Sequence, residues 1–152
     1  MIIILFRCAG ISSGTLNGQG MSLEIWFQGC QINCAHCQNP NLQPLDGGFD
    51  YETDLVLDHL NKFNNFYNSI CFLGGEPTLQ PKPLYTLLTN ITLPKILYTG
   101  LLFEDLPEGI KSNVDIVVDG PYIEEQATGS FPASANQRIF EKCILTNRDF
   151  RK

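Results

Sequence analysis

Four short apolar runs in this chain each stop at a glycine-bearing polar step, and that repetition limits the folds open to it. Residues 23–27 (Leu-Glu-Ile-Trp-Phe) run into Gln28-Gly29, and residues 69–73 (Ser-Ile-Cys-Phe-Leu) into Gly74-Gly75. Residues 95–98 (Lys-Ile-Leu-Tyr) run into Thr99-Gly100, and residues 114–118 (Val-Asp-Ile-Val-Val) into Asp119-Gly120. Apolar runs of this length without a clean polar face read as strands covered on both sides. Between them the period changes. Asp50 is placed to cap a helix whose apolar positions are Leu55, Val56, Leu60, Phe63 and Phe66, and Pro81 or Pro83 opens a second helix over 83–91. A short amphipathic element is expected over 101–107, an ordered polar loop over 124–137, and a last strand over 138–145 with a frayed basic tail after it.

Strand and helix in alternation predict an α/β fold with a mostly parallel sheet. A closed barrel of eight such units needs about 250 residues. With 152 residues the expectation is a partial, open βα barrel, one domain over 1–152 with its core motifs in 18–140. Ligands bind such sheets at the carboxyl ends of the strands. All four glycine steps fall there, which locates the expected site.

The net charge of −6 and the absence of any basic run argue against a partner whose phosphates must be neutralised, so no nucleic acid is expected. The apolar start, residues 1–6, stops at Arg7 without a preceding basic segment or a small-residue cleavage site, and reads as a first strand rather than a leader. No other apolar stretch approaches the roughly 20 residues that cross a bilayer. The expectation is a cytoplasmic protein with no membrane partner.

Six cysteines remain to be explained. A disulfide framework is one reading of an even count, but tight clustering in an unexported chain favours metal or redox chemistry. Cys30, Cys34 and Cys37 are spaced C-x3-C-x2-C. Thiolates are soft ligands for iron–sulfur clusters or zinc. One loop can wrap three corners of a cubane and leave its fourth iron without a protein ligand. Zinc would ask for a closed set of four. His36 adjoins Cys37 and would strain that set, and Cys71 lies inside a predicted strand, where it reads as a small buried hydrophobe. Cys8 and Cys143 are read the same way. A cluster with an open iron is either an electron carrier or a place to hold a substrate, and the glycine-rich strand ends beside it favour the second.

The segment Gly29-Cys30-x3-Cys34-x2-Cys37-x-Asn39-Pro40 resembles the radical S-adenosylmethionine superfamily, and Gly74-Gly75-Glu76-Pro77 after a strand resembles that superfamily's GGEP motif. The resemblance implies a partial barrel of radical SAM type. It further implies a [4Fe–4S] cluster on Cys30, Cys34 and Cys37, with S-adenosyl-L-methionine chelated to the open iron through its amine and carboxylate. By the same resemblance Gly74, Gly75 and Glu76 grip the methionyl amine, and His36 takes the position usually held by an aromatic residue near adenine. Most of residues 18–140 is similar to the anaerobic ribonucleotide reductase activating proteins, including Lys-Ile-Leu-Tyr-Thr-Gly over 95–100 and Ala135-Asn136-Gln137-Arg138. That likeness implies a glycyl radical enzyme activase, acting on a large partner and reduced by a flavodoxin or ferredoxin.

Asp119, Gly120, Asn136 and Gln137 are expected on the rim. Asp119 and Asn136 are candidates for cofactor contact, with a turn-forming role as the alternative for each. Three departures bear on the partner surface: no arginine follows Gly18-Gln19-Gly20-Met21-Ser22, Leu101 replaces an aromatic, and Ala133-Ser134-Ala135 replaces a Gly-Ser-Ser run. Glu24 and Trp26 share a strand face opposite Leu23, Ile25 and Phe27, and one face must look into the barrel. His59 reads as an exposed helix residue. The competing functions are a radical SAM enzyme with a small-molecule or peptide substrate, a [4Fe–4S] electron carrier, and a zinc-stabilised module.

Overall fold

The computed structural model describes residues 2–142 and the short strand Phe150–Arg151. Cys143, the end of the predicted last strand and most of the basic tail lie outside the described residues. The strands are β1 (Leu5–Gly14), β2 (Ser22–Phe27), β3 (Phe49–Glu52), β4 (Ser69–Gly74), β5 (Lys95–Tyr98), β6 (Ile116–Asp119), β7 (Arg138–Lys142) and β8 (Phe150–Arg151). Helices α1 (Thr53–Lys62), α2 (Pro81–Asn90) and α3 (Glu108–Lys111) fall between them. The strands form one open sheet in the order β3-β1-β2-β4-β5-β6-β7-β8. Parallel pairing joins β2, β4, β5 and β6, the four runs that end in glycine steps. The flanking pairs are antiparallel. The architecture is the α/β partial barrel that the alternation implied, with its parallel pairing confined to the centre.

Alternation along the central strands sorts their side chains onto two faces. Leu23, Ile25 and Phe27 of β2, Ile70 and Phe72 of β4, Leu97 of β5 and Val117 of β6 are buried in one core. That core includes Val56 and Leu60 of α1, Leu84, Leu87 and Leu88 of α2, and Ile110 of α3. Burying each such side chain is worth about 1.5–3 kcal/mol, so this face supplies most of the driving force. The other face carries a smaller cluster of Cys71, Leu73 and Ile96 with Trp26, Tyr98 and Ile116.

Five local expectations are corrected. The first strand does not stop at Arg7, because the ladder with β2 holds the chain extended to Gly14, past a bulge near Cys8 and Gly10. Asp50 does not cap a helix. It lies in β3 opposite Arg7 and pairs with that guanidinium at 3.1 Å, and α1 opens three residues later, at Thr53, without a side-chain cap. Phe63 and Phe66 lie past the end of α1 and are exposed, so the apolar stripe of that helix is shorter than its sequence period. The element expected over 101–107 resolves into a 3-10 turn, Phe103–Asp105, ahead of α3. His59 is half-buried, its Nε2 3.0 Å from the Tyr67 hydroxyl.

Candidate functional site

At the carboxyl ends of the parallel strands lies a cavity of ≈360 Å³. Cys30, Cys34 and Cys37 line it together with Gly74, Gly75, Glu76, Thr99 and Gly100. Two of the four predicted strand-end steps, Gly74-Gly75 and Thr99-Gly100, therefore meet the triplet of thiols, and a third contributes Gly120; Gly29 of the remaining step precedes Cys30 in the chain without lining the cavity.

The cysteine loop is fastened at its base by backbone. Gly75 N donates to Phe27 O, Glu76 N to Gly29 O and Gly29 N to Leu42 O, each at 2.8 Å, and Cys30 N donates to Gln43 O at 3.0 Å. A Cβ on Gly75 would stand 2.3 Å from Gly29 O, so the close approach of the two turns requires glycine there. Gly100 packs closely on the same loop, since a Cβ on it would stand 2.6 Å from Ile32 Cδ1, the end of a side chain that would have to shift. Buried Gln28 closes the returning chain, its Nε2 donating to Asn41 O at 3.0 Å and Pro44 O at 2.8 Å. Sequence reasoning missed Ile32 and Gln28. Their partners lie across loops that only the fold brings together.

All three thiols are half-buried. Burial pushes the Cys30 thiol up from its ordinary range, while backbone hydrogen bonds from Ile32 and Asn33 favour the thiolate. Asn39 N lies 3.4 Å from Cys37 Sγ. Amides aimed at sulfur are what cluster thiolates use to spread their charge. Among the described residues no group of three or more His, Cys, Asp or Glu side chains gathers around one ion position. A cubane asks for a different arrangement, with its thiolates on separate irons. Three soft donors on one fastened loop beside an open cavity fit that demand. Cys71 is fully buried on the concave face and burial raises its thiol to about 11; Cys8, also fully buried, is raised to about 11 by the same cause.

Glu76 is buried and does more than its turn position foretold. Oε2 accepts from Thr78 N at 3.1 Å, Thr78 Oγ1 at 2.5 Å and Thr99 Oγ1 at 2.9 Å, and Oε1 accepts from Gly100 N at 2.7 Å. The carboxylate thus ties the end of β4 to the end of β5. Oε2 is filled by its three donors, whereas Oε1 keeps a free lone pair.

The remaining rim candidates divide. Asp119 is fully buried and does not line the cavity. Its carboxylate accepts from Phe103 N at 2.7 Å and from Arg138, whose Nη2 is 2.5 Å away and also reaches Glu104 at 2.7 Å. Asn136 also lies outside the lining; its Nδ2 donates to Pro121 O at 2.8 Å, and its buried Oδ1 has no hydrogen-bond partner. Gln137 and Gly120 do line the cavity, and Gln137 Nε2 donates to Gly120 O at 3.0 Å. His36 is largely exposed outside the lining, at a positive φ of 56°, with Nδ1 3.3 Å from Glu124 Oε2.

Glu24 and Trp26 face inward. Buried Glu24 accepts from Ser12 Oγ at 2.8 Å and Asn17 Nδ2 at 2.5 Å, and Trp26 Nε1 donates to Ser12 Oγ at 3.0 Å. The Tyr98 hydroxyl donates to Asn17 O at 2.6 Å, and Ser69 Oγ bonds both ends of Gln19. Residues 15–20, which follow the end of β1, are thereby laid across the lower part of the concave face, with Asn17 as a wall of the cavity.

A partial α/β barrel with three loop cysteines and a glycine-glycine-glutamate turn on one cavity is the arrangement of a radical SAM protein. The chain belongs to the family described as "4Fe-4S single cluster domain", whose model matches residues 16–140, and it resembles the glycyl radical enzyme activases of the radical SAM superfamily. A pyruvate formate-lyase-activating enzyme of Clostridium pasteurianum is 32% identical over 81 residues, 51% of this chain and 34% of that protein. The chain thus spans about a third of the length of that relative. An anaerobic ribonucleoside-triphosphate reductase-activating protein of Vibrio cholerae is 26% identical over 140 residues, 82% of this chain and 90% of that protein. Among solved structures, QueE from Escherichia coli superposes with a TM-score of 0.56 at 15% identity, over 79% of this chain and 61% of that one, which speaks to the fold. No helix among the described residues is long and apolar enough to cross a membrane.

Proposed function

We propose that the chain is a glycyl radical enzyme activase whose target is an anaerobic ribonucleotide reductase. The observation that carries the reading is the convergence of Cys30, Cys34, Cys37 and the Gly74-Gly75-Glu76 turn on one cavity. The choice of target is supported by length: alignment with the reductase-activating protein runs through 90% of that protein, against 34% for the formate-lyase relative.

Cys30, Cys34 and Cys37 would hold a [4Fe–4S] cluster with one open iron, and Glu76 Oε1, with its spare lone pair, is the acceptor for the methionyl ammonium of S-adenosyl-L-methionine. When bound and reduced by a flavodoxin or ferredoxin, such a cluster would supply one-electron chemistry toward the sulfonium of S-adenosyl-L-methionine, with a 5′-deoxyadenosyl radical as the expected product. The protein's part is geometric. Gly74 and Gly75 let backbone approach the cofactor, Gly100 admits Ile32 and so fixes the cysteine loop, and Glu76 locks the two strand ends that the cofactor would span. Asp119 acts through Arg138, holding the start of β7 against the rim. His36 keeps the outer side of the cysteine loop near Glu124, and Asn136 braces the rim through its hydrogen bond to Pro121 O.

The test is anaerobic reconstitution followed by addition of dithionite and S-adenosyl-L-methionine. Expected are iron and sulfide in the amounts of one cluster per chain, release of 5′-deoxyadenosine, and loss of both in Cys34→Ala. Zinc in place of iron, or a cluster that leaves the cofactor intact, would sink the reading. The target is read separately, from a glycyl radical doublet by electron paramagnetic resonance with a ribonucleotide reductase and not with a pyruvate formate-lyase.

A further inference from the structure

Residues 127–134 fold back on themselves at the cavity rim. Ala127 bridges Ser134, Thr128 N donates to Ala133 O at 3.0 Å, and Thr128 Oγ1 donates to Pro132 O at 2.6 Å while accepting from Ser130 N at 3.0 Å. The base is anchored as firmly. Ala135 N donates to Gln126 O at 2.8 Å, Ser134 is fully buried, and Gln137 accepts from Ser134 N while its Nε2 donates to Gly120 O.

This braced hairpin carries Phe131 at its tip. The ring is 56% exposed and meets Tyr98 edge to face, with centroids 6.3 Å apart. Among the described residues Phe131 is the one exposed large apolar side chain that also lines the cavity. A lone exposed aromatic needs no special cause. An aromatic held over a cavity by hydrogen bonds at the tip and base of its own loop is different, because its position is fixed and it defines a wall. Around it the lining combines the side chains of Trp26, Ile32, Leu73 and Tyr98 with the side-chain-free Gly74, Gly75 and Gly100. The ≈360 Å³ cavity is near the low end of the roughly 300–1,000 Å³ of small-molecule sites, and cluster and cofactor would take much of it. Whatever room is left for a substrate is bounded on one side by the Phe131 ring.

We infer that Phe131 is a specificity-determining residue that confines hydrogen abstraction to glycine, its ring closing the space that a substrate Cβ would need. The inference rests on the activase reading and deepens it. In the step concerned the Cα–H bond of the substrate breaks homolytically. Its hydrogen bonds to the 5′ carbon to give 5′-deoxyadenosine, and the unpaired electron stays on Cα; the electron that opens the sulfonium comes from the reductant.

The test uses the full chain, reconstituted anaerobically, with dithionite, S-adenosyl-L-methionine and two short synthetic peptides. They differ only in the central residue, Cα-deuterated glycine or Cα-deuterated alanine, and deuterium in 5′-deoxyadenosine is measured by mass spectrometry. Wild type should favour glycine by roughly tenfold or more, Phe131→Ala should bring the two peptides within about twofold, and Phe131→Tyr should restore the preference. The inference is overturned if Phe131→Ala keeps the preference, if wild type shows none, or if wild type releases 5′-deoxyadenosine but takes deuterium from neither peptide. A wild-type protein that releases no 5′-deoxyadenosine at all brings down the activase reading, and this one with it.

Discussion

On the helix side of the central strands, Leu23, Ile25, Phe27, Ile70, Phe72, Leu97 and Val117 are buried against α1, α2 and α3. On the concave side, the alternate residues of β2, β4 and β5 include Ser22, Glu24, Trp26, Ser69, Cys71 and Tyr98, and most of these hydrogen-bond to residues 12–20. The same few strands thus separate two tasks. One face holds the sheet together by apolar burial, and the other is fitted out with polar groups whose hydrogen bonds fix the floor and walls of a cavity. A change on the first face should cost stability wherever it falls, while a change on the second should cost geometry first.

The largest effect on folding is expected from Phe72→Ala. It empties a fully buried ring position and should lower unfolding free energy by about 3–5 kcal/mol in urea titration. Gly75→Ala breaks the contrast from the cavity side. Its Cβ would meet backbone at Gly29 O and Leu42 O, so cluster content after reconstitution should fall by more than the melting temperature does. Equal losses in both would mean that the turn serves the fold rather than the site. Tyr98→Phe removes one hydroxyl donor on the concave face and should cost about 0.5–1.5 kcal/mol, by the same titration, with the helix-side core intact.

The smallest effect is at the rim. Hydrogen bonds from Arg138 hold the Glu104 carboxyl down at about 2, against an ordinary 4.5. Its contribution is therefore fully present above the ordinary value and fades as pH falls towards 2. Wild type should melt higher than Glu104→Gln near neutrality, and the two should converge through that acid window. A gap that does not change with pH would contradict the pairing.

What the sequence disclosed follows the same division. The central strands were legible because burial on two faces leaves a dense apolar run, as in Ile70-Cys71-Phe72-Leu73, and the cysteine spacing is local to one loop. β3 was not legible, because Asp50 looks like a helix cap until Arg7 is seen across the ladder. Nor was the end of β1, since the apolar run stops at Arg7, although Ser12 and Ser13 further on are held by Glu24 and Tyr67. The buried carboxylates were the least readable. Glu76 and Asp119 find donors 24 and 19 residues away, in Gly100 and Arg138, and no local pattern announces a pairing over that distance.

The segment laid over the lower concave face by Asn17, Gln19 and their partners acts as a stopper. A vessel stoppered at the bottom fills and drains through the same neck. On the proposed reaction, a bulky protein seated in that neck would keep methionine and the spent nucleoside behind it, and each round of turnover would then be paced by undocking.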